Sequence, residues 1–568
     1  MNYTINPDSP LKHLLNITLE VNVKDKSFID FKLPIWRPGR YEAANYAKNI
    51  QKICFYNQEG NKLNYQKLSA SIWRVETNGN KIKVEYRYYA HQLDAGNSWY
   101  AEDQLYINFV NCLLYVEEYM GNEHAVTLNL PTDYKIACGL KKKGKTLLAN
   151  NYHELADSPM ISSNTLEELK YEVGGVPFSV WLQGKNSLDR DRVVEDFKKF
   201  SQHQLDVMGE FPFKEYHFLN QLTSYKHYHG VEHGNSTVIC IGPSSELSTE
   251  ALYSEFAGVS SHELYHAWNI LKIRPAELFP YDFGKPAIFP TGYVAEGFTT
   301  YYGDLFLVRS DVYDGSWYFN ELNKLFQRHF HNGGRLNNSV IDSSYDLWID
   351  GYVPGTPHKK CSIYVEGAMI ALTLDLLIRK ETHSEKSLDS VMRVLWNDWA
   401  KKSKGYTLED IQKVVESEIG HSLKEYFNDY VYGAKDKTEL IDDLICNAGC
   451  RLAINDNPNF LEKELGLKIA KIESDWVIQL IEEGSIGEDY FSIKDKVIKI
   501  NGKEVTEELL KEVSDNVLNF EIERNSERRN MKVSCQGKSY YKKYTIEKIK
   551  NPSAEQKDFY SKWLNQEF

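Results

Sequence analysis

The chain has 568 residues and a formal net charge of −13. That is length for roughly three or four domains and enough negative charge to repel a phosphate backbone, which argues against a nucleic-acid partner. Hydrophobic residues make up 42% and charged residues 26%, ordinary globular proportions. Eight scattered cysteines without a CxxC pair suit buried free thiols in a reducing compartment, not a disulfide framework.

The first residues, MNYTINPDSP, carry no basic and apolar export signal. No run of about 18 uncharged apolar residues follows that could span a membrane. The expectation is a soluble, cytoplasmic protein without membrane contact. Residues 1–172 read as a β-rich domain: HLLNITLEVNV, FIDFKLPIW, KIKVEYRYYA and AVTLNL are short alternating or apolar bursts parted by Gly, Asn and Asp. The basic run KKKGK at Lys141–Lys145 surrounds a glycine between two such bursts and reads as a solvated turn. Residues 173–445 change character. DRDRVVEDFKKFSQHQLDVMGEF has helical spacing, with Val194, Phe197, Phe200 and Leu205 near one face. Strand-like YHFLNQL and STVICIG come next, and further helical segments surround His262, Glu296 and Tyr364. Residues 446–568 form a third, small β unit, in which Asn501-Gly502 predicts a tight turn.

The stretch VSSHELYHAWN, Val259–Asn269, carries the chemistry. Residues four apart on a helix share a face, so His262 and His266 can grip one Zn²⁺. Glu263 can then reach water beside the ion as a general base. TEALYSEFAGVSSHELYHAWN keeps 3–4 spacing and holds no proline. Two histidines and a glutamate on such a face are costly to bury unless something pairs with them. A catalytic zinc needs a third protein ligand. The HExxHxxGxxH arrangement fails, because Asn269 and Lys272 stand at its later places. After the proline-broken stretch KIRPAELFPYDFGKPAIFPTG, a new helix VAEGFTTYYGDLFLVR begins. Its apolar stripe runs Val294, Phe298, Tyr301, Leu305 and Val308. Glu296, in its first turn, is the third-ligand candidate. Glu277 and Asp282 compete, on a less rigid loop.

HELYHAWN followed by KIRP, then VAEGFTTYYGD, and the earlier LPIWRPGRYEAANYAKNI resemble the M61 peptidases, the glycyl aminopeptidase family of gluzincins. The resemblance implies a multidomain α+β protein with an N-terminal β-rich domain, a thermolysin-like, mainly helical zinc peptidase domain and a C-terminal PDZ-like domain. It implies one Zn²⁺ on His262, His266 and Glu296, with Glu263 as base. HGVEHGNST, His229–Thr237, resembles the family's GGLEHxxS segment, which implies that Glu232 binds the free amine of the substrate, with Gly230 and Val231 beside it. His229 stands where the family has a glycine. CSIYVEGAMIALTLDLLIRK resembles YYxKGxxxxxxLDxxIR, which implies that Tyr364 donates a hydrogen bond to the oxyanion. Ile363 replaces a tyrosine there, and Glu366 replaces a lysine. Trp268 and Asn269 read as packing and hydrogen bonding at the helix end. ELGLKI, Glu464–Ile469, and SIKDKVIKINGKEV resemble a PDZ carboxylate loop and strand pair, a place for a peptide C-terminus.

The expected activity is therefore removal of N-terminal residues from peptides, with a family preference for Gly or Ala. Two alternatives remain at this level. One is a zinc endopeptidase, in which Glu232 is structural; the other is a PDZ-bearing scaffold with a silent zinc domain.

Overall fold

A computed structural model describes residues 1–568 apart from 24–25, 78–79 and 354. It is a multidomain α+β protein with a β-rich N-terminal domain and a helical domain behind it. The N-terminal bursts pair into an eight-stranded, a four-stranded and a three-stranded sheet. Alternation places one face of each strand inward. Leu14–Asn22 pairs with Asn2–Pro7 and with Lys81–Tyr89, and its Ile17, Leu19 and Val21 are buried. The basic run is not wholly turn: Lys141–Lys143 is an exposed edge strand hairpinned through Gly144 onto Thr146–Ala149. No helix is long and apolar enough to cross a membrane.

A five-stranded sheet opens the second unit. Its strands lie in the order Glu167–Val173, Val176–Gln183, Tyr216–Leu222, Ser236–Gly242 and His227–His233. His227–His233 is thus an edge strand, antiparallel to Ser236–Gly242. The helix Arg190–Met208 covers the sheet, capped by Asp189 at its start and by left-handed Gly209 at its end. Its core face is Val193, Phe197, Phe200 and Met208, with Val194 and Leu205 at the margin.

Helix Glu250–Tyr265, N-capped by Thr249, packs against helix Thr299–Arg309. The segment predicted as one helix from Val294 onward begins instead as a π-helical turn, Tyr293–Phe298, and only then becomes α-helical. Helix Ile363–Glu381, N-capped by Ser362, crosses that turn. A Cβ on Gly297 would overlap the Gly367 backbone, and one on Gly367 would meet the Gly297 Cα at 2.8 Å. The pair sets how closely the two segments approach.

The small β unit has its own apolar cluster, from Leu461 to Val533. Asn501 (φ 50°) and Gly502 (φ 76°) form the turn between Lys496–Ile500 and Lys503–Glu504. The flanking strands Cys450–Asn455 and Lys543–Lys548 pair with each other, and the final helix Ala554–Leu564 follows. Cys450, Leu452, Ile546, Phe559, Tyr560, Trp563 and Leu564 belong to the cluster of the helical domain.

Candidate active site

One turn of helix carries His262, Glu263 and His266, the last at the helix C-cap. The two imidazole Nε2 atoms stand 3.0 Å apart, and His266 Nε2 lies 3.5 Å from Glu296 Oε2. Donor atoms of His262, His266 and Glu296 all fall within 4.8 Å of one another. The structure therefore brings the three predicted ligands together. Glu277 and Asp282 stay exposed on their loop.

The π-helical turn explains how Glu296 arrives there. An extra residue in the turn widens it, and Asn269 pins it from the other side: its Nδ2 donates to the Val294 carbonyl at 2.8 Å and to Thr299 Oγ1 at 3.1 Å. The Asn269 carbonyl also lies 2.6 Å from His266 Nδ1. With the proton on Nδ1, Nε2 presents its lone pair to the shared space, the support a metal-bound histidine needs. Asn269 thus orients two of the three donors, a role the sequence reading had left as helix-end hydrogen bonding. Trp268 packs as expected, its indole donating to the Glu210 carbonyl at 2.9 Å.

Glu232 comes from the edge strand. Strand alternation puts Gly230 and Glu232 on the face toward helix Glu250–Tyr265. A Cβ at Gly230 would strike the Glu263 carboxylate. Val231 faces the other way, buried with Ala95, Tyr106 and Leu219, so its side chain is turned from the substrate side. Glu232, Glu263 and His266 form a second tight cluster. Glu232 is 3% exposed and Glu263 4%, and Glu232 Oε1 and Glu263 Oε2 have no hydrogen-bond partner in the protein.

The N-terminal domain supplies a wall that the sequence reading had not assigned. Gly39 sits at φ +76°, and a Cβ there would meet the Glu232 carboxylate at 2.5 Å. Next to it, the backbone N–H of Tyr41 donates to the Tyr352 hydroxyl at 3.0 Å, and the Arg40 guanidinium covers the Tyr352 ring at 4.7 Å. The guanidinium of Arg37, 4% exposed, lies flat against Gly96.

Crowded buried carboxylates repel one another. Burial, opposed by His266 and helped by Glu296, raises Glu232 to about 7. Burial, again opposed by His266 and helped by Glu232 and Glu296, raises Glu263 to about 8. Burial works against charge on His266, but Glu296, Glu232 and Glu263 outweigh it and carry that imidazole up to about 10. His262 is held well below its usual range by burial and by His266. Three carboxylates beside two imidazoles, with orphaned buried oxygens, are a site short of positive charge. A divalent cation satisfies that shortage and pulls the carboxyl pKa values back down. A His₂Glu donor set with an adjoining carboxylate suits zinc, and His262 is only partly buried, so the donors can be reached from one side.

Tyr364 lies at the second position of helix Ile363–Glu381. Burial first, then Glu296, Tyr352, Glu232 and Glu263, push its phenol well above the usual range, so it stays protonated and able to donate. Glu366 does not face this cluster. It is buried with Lys437 and His329: Lys437 Nζ donates to Oε1, and His329 Nδ1 lies 2.9 Å from Oε2. The reversed charge at this position is neutralised locally.

The profile of the M61 N-terminal domain matches residues 2–164, and that of the M61 glycyl aminopeptidase domain matches residues 255–370. No curated protein matches the sequence. Among solved structures, an aminopeptidase N family protein from Idiomarina loihiensis superposes with a TM-score of 0.90 at 23% identity, over 99% of each chain. That likeness establishes a common fold. An M1 zinc metallopeptidase from Deinococcus radiodurans overlaps at a TM-score of 0.45 and 13% identity, over 77% of this chain and 94% of that one.

Proposed function

The chain belongs to the M61 peptidases, and from that premise we propose that it is a zinc-dependent aminopeptidase that removes small N-terminal residues, Gly or Ala, from peptides. The observation that carries the exopeptidase reading is the Glu232 carboxylate, 3% exposed, without a partner on one oxygen and clustered with Glu263 and His266. A buried carboxylate in that place pairs with an ammonium, and the cleaved bond then lies one residue away. Gly39 lies so close to the same carboxylate that a Cβ there would meet it at 2.5 Å, which supports a small first residue.

His262, His266 and Glu296 hold the ion. When bound, zinc supplies Lewis acidity, polarising the scissile carbonyl and acidifying water. Glu263 takes the proton of the attacking water and passes it to the leaving amine. Tyr364 donates to the developing oxyanion. Glu232 fixes the substrate's N-terminus. In the small β unit, Leu467–Ile472 is an edge strand behind left-handed Gly466. This supports a PDZ-like reading, with a peptide C-terminus as ligand. Eight unpaired thiols support a cytoplasmic location.

The test is a set of aminoacyl p-nitroanilides and short peptides, free and N-acetylated, assayed with and without a chelator. Turnover of free-amine Gly and Ala substrates, lost on chelation and restored by zinc, is expected. Efficient cleavage of N-acetylated peptides would instead make the protein an endopeptidase. Retention of activity in metal-free protein would remove zinc from the mechanism.

A further inference from the structure

A peptide held by its amine at Glu232 must lead the rest of its chain away from that carboxylate. Tyr364 lies within electrostatic reach of Glu296, Glu232 and Glu263, and it also lines a cavity of about 500 Å³ between the helical domain and the small β unit. That volume falls inside the about 300–1,000 Å³ usual for ligand sites. The cavity is bounded by the end of helix Gly315–Phe330, by residues from Gly355 to Val365, and by Lys468 and Leu480 of the small β unit.

The sign of its charge is opposite to that of the protein. Arg328, Lys359, Lys360 and Lys468 line it, against Asp350 as the one carboxylate among the described residues. Lys359 and Lys360 are committed to Asp350, and Lys359 also lies 2.7 Å from Asp346. Arg328 and Lys468 form no ion pair among the described residues. Lys468 donates to His331 Nδ1 at 2.7 Å, and the other ring nitrogen of His331 is 2.8 Å from the Lys542 carbonyl. His331 is thus a neutral acceptor, and burial lowers the pKa of Lys468 more than Glu462 and Glu482 raise it. The Lys468 ammonium also lies 4.8 Å over the Tyr541 ring, and a half-buried ammonium held by two neutral rings and no carboxylate is costly between two docked domains, where an apolar side chain would serve better. Arg328 is exposed, and its charge is felt at Tyr228 on the edge strand that carries Glu232. Arg328 and Lys468, neither paired with a carboxylate among the described residues, line the same cavity as Tyr364.

We propose that this cavity is the subsite for the leaving part of the substrate, and that it selects peptides bearing negative charge there, as acidic side chains or as the C-terminal carboxylate. This rests on the aminopeptidase reading. In a chain of net charge −13, long-range repulsion disfavours acidic peptides, so a local reversal of sign is what allows them in.

The experiment uses the full-length zinc-loaded protein with Ala-Ala-Ala-Glu-Glu and Ala-Ala-Ala-Lys-Lys, each with a free or amidated C-terminus, and with alanyl p-nitroanilide, which has no residues beyond the cleaved bond. The acidic peptide should be favoured about tenfold in kcat/KM, the yield of two weak ion pairs. Lys468→Gln and Arg328→Gln should each erode that preference, mainly through KM, while hydrolysis of alanyl p-nitroanilide is unchanged. Arg328 is exposed, so its variant carries the test even if Lys468→Gln loosens the small β unit. A fall in kcat/KM of both peptides on amidation assigns the cation pair to the C-terminus; an acidic preference that survives amidation assigns it to the side chains. Equal rates on acidic and basic peptides that amidation does not change, with alanyl p-nitroanilide still cleaved, overturn the subsite and leave the aminopeptidase standing. No cleavage of any of them overturns the reading of the catalytic site itself.

Discussion

Gly39 and Glu232 lie in different domains and meet where the substrate amine is proposed to bind. A methyl group at Gly39 has to displace the Glu232 carboxylate and also occupy φ +76°, a backbone region that costs an L-residue about 1–2 kcal/mol. Gly39→Ala should raise KM for free-amine substrates and lower kcat/KM about ten- to a hundredfold, since 1.4 kcal/mol is tenfold. Zinc affinity should stay as in the wild type, because His262, His266 and Glu296 are untouched. Kinetics alongside a zinc titration check this, and a fall in zinc affinity would show that Gly39 supports the metal donors instead. Glu263→Gln makes the complementary case. It should keep zinc and fold while losing about 10²–10⁴-fold in kcat, the range for a lost general base. At this scale the sequence was informative where spacing along one segment decides the outcome. His262, Glu263 and His266 share a helix face by period alone, and Glu296 followed from the helix after the proline-broken loop. Gly39 was opaque because its partner lies 193 positions on and only the tertiary fold joins them. The clamp formed by Asn269 was legible only as helix-end hydrogen bonding, because it holds His266 through a backbone carbonyl and the partners of its side chain, Val294 and Thr299, lie 25 and 30 residues on.

Among elements, the π-helical turn Tyr293–Phe298 and helix Ile363–Glu381 depend on each other. They touch through Gly297 and Gly367, and just beyond the contact Glu366 (3% exposed) is sealed in with Lys437 and His329, each 2% exposed. Removing one charge of a buried pair costs about 3–5 kcal/mol, because its partner is left alone. Glu366→Gln should therefore lower the denaturation midpoint markedly at pH 7, whereas the apolar pair Glu366→Leu with Lys437→Met should recover most of the loss. The pH dependence has a definite sign. Lys437 and His329 outweigh burial and hold Glu366 far below the usual carboxylate range. Burial lowers His329, although Glu366 pulls it the other way. Both groups bind fewer protons folded than unfolded, so their contributions are present at neutral pH. That of His329 fades as pH falls below about 6.5 and that of Glu366 below about 4.5. Thermal melts between pH 7 and pH 4 should show wild-type stability declining on acidification, with a shallower decline below pH 4.5 in Glu366→Gln. The sequence showed Glu366 as a departure from the family's lysine but not its compensation, because Lys437 lies 71 residues away. The helices and strands themselves were legible from apolar period, and the Asn501-Gly502 turn from the need for positive φ at both positions. The π-helical turn was not, since one extra residue in a turn leaves composition and period almost unchanged.

At the scale of the whole molecule, the helix Ala554–Leu564 braces the helix that extends from Glu296. Trp563 is fully buried. Its indole donates to the Tyr301 hydroxyl at 3.0 Å, and Tyr301 in turn donates to Asp375 at 2.6 Å. The Trp563 carbonyl accepts from Arg309 Nε at 2.8 Å, and Arg309 is ion-paired to Asp389 at 3.1 Å. Tyr301 and Arg309 both lie on helix Thr299–Arg309, which continues directly from the turn that bears Glu296. The final helix therefore joins the helix that follows Glu296 to the crossing helix Ile363–Glu381 through a single indole and two buried polar links. Trp563→Ala removes the ring from a close-packed site and the donor to the Tyr301 hydroxyl, so a loss of about 3–5 kcal/mol is expected. The same variant should weaken zinc retention during dialysis against a chelator, because Glu296 loses its rigid mount, while leaving the pH profile of the remaining activity unchanged. Leu11→Ala, at a side chain 77% exposed in the N-terminal domain, is the control and should move neither quantity. If Trp563→Ala unfolds early yet holds zinc as tightly as the wild type, the final helix stabilises the fold without bearing on the donor geometry, and the linkage from chain end to metal site fails.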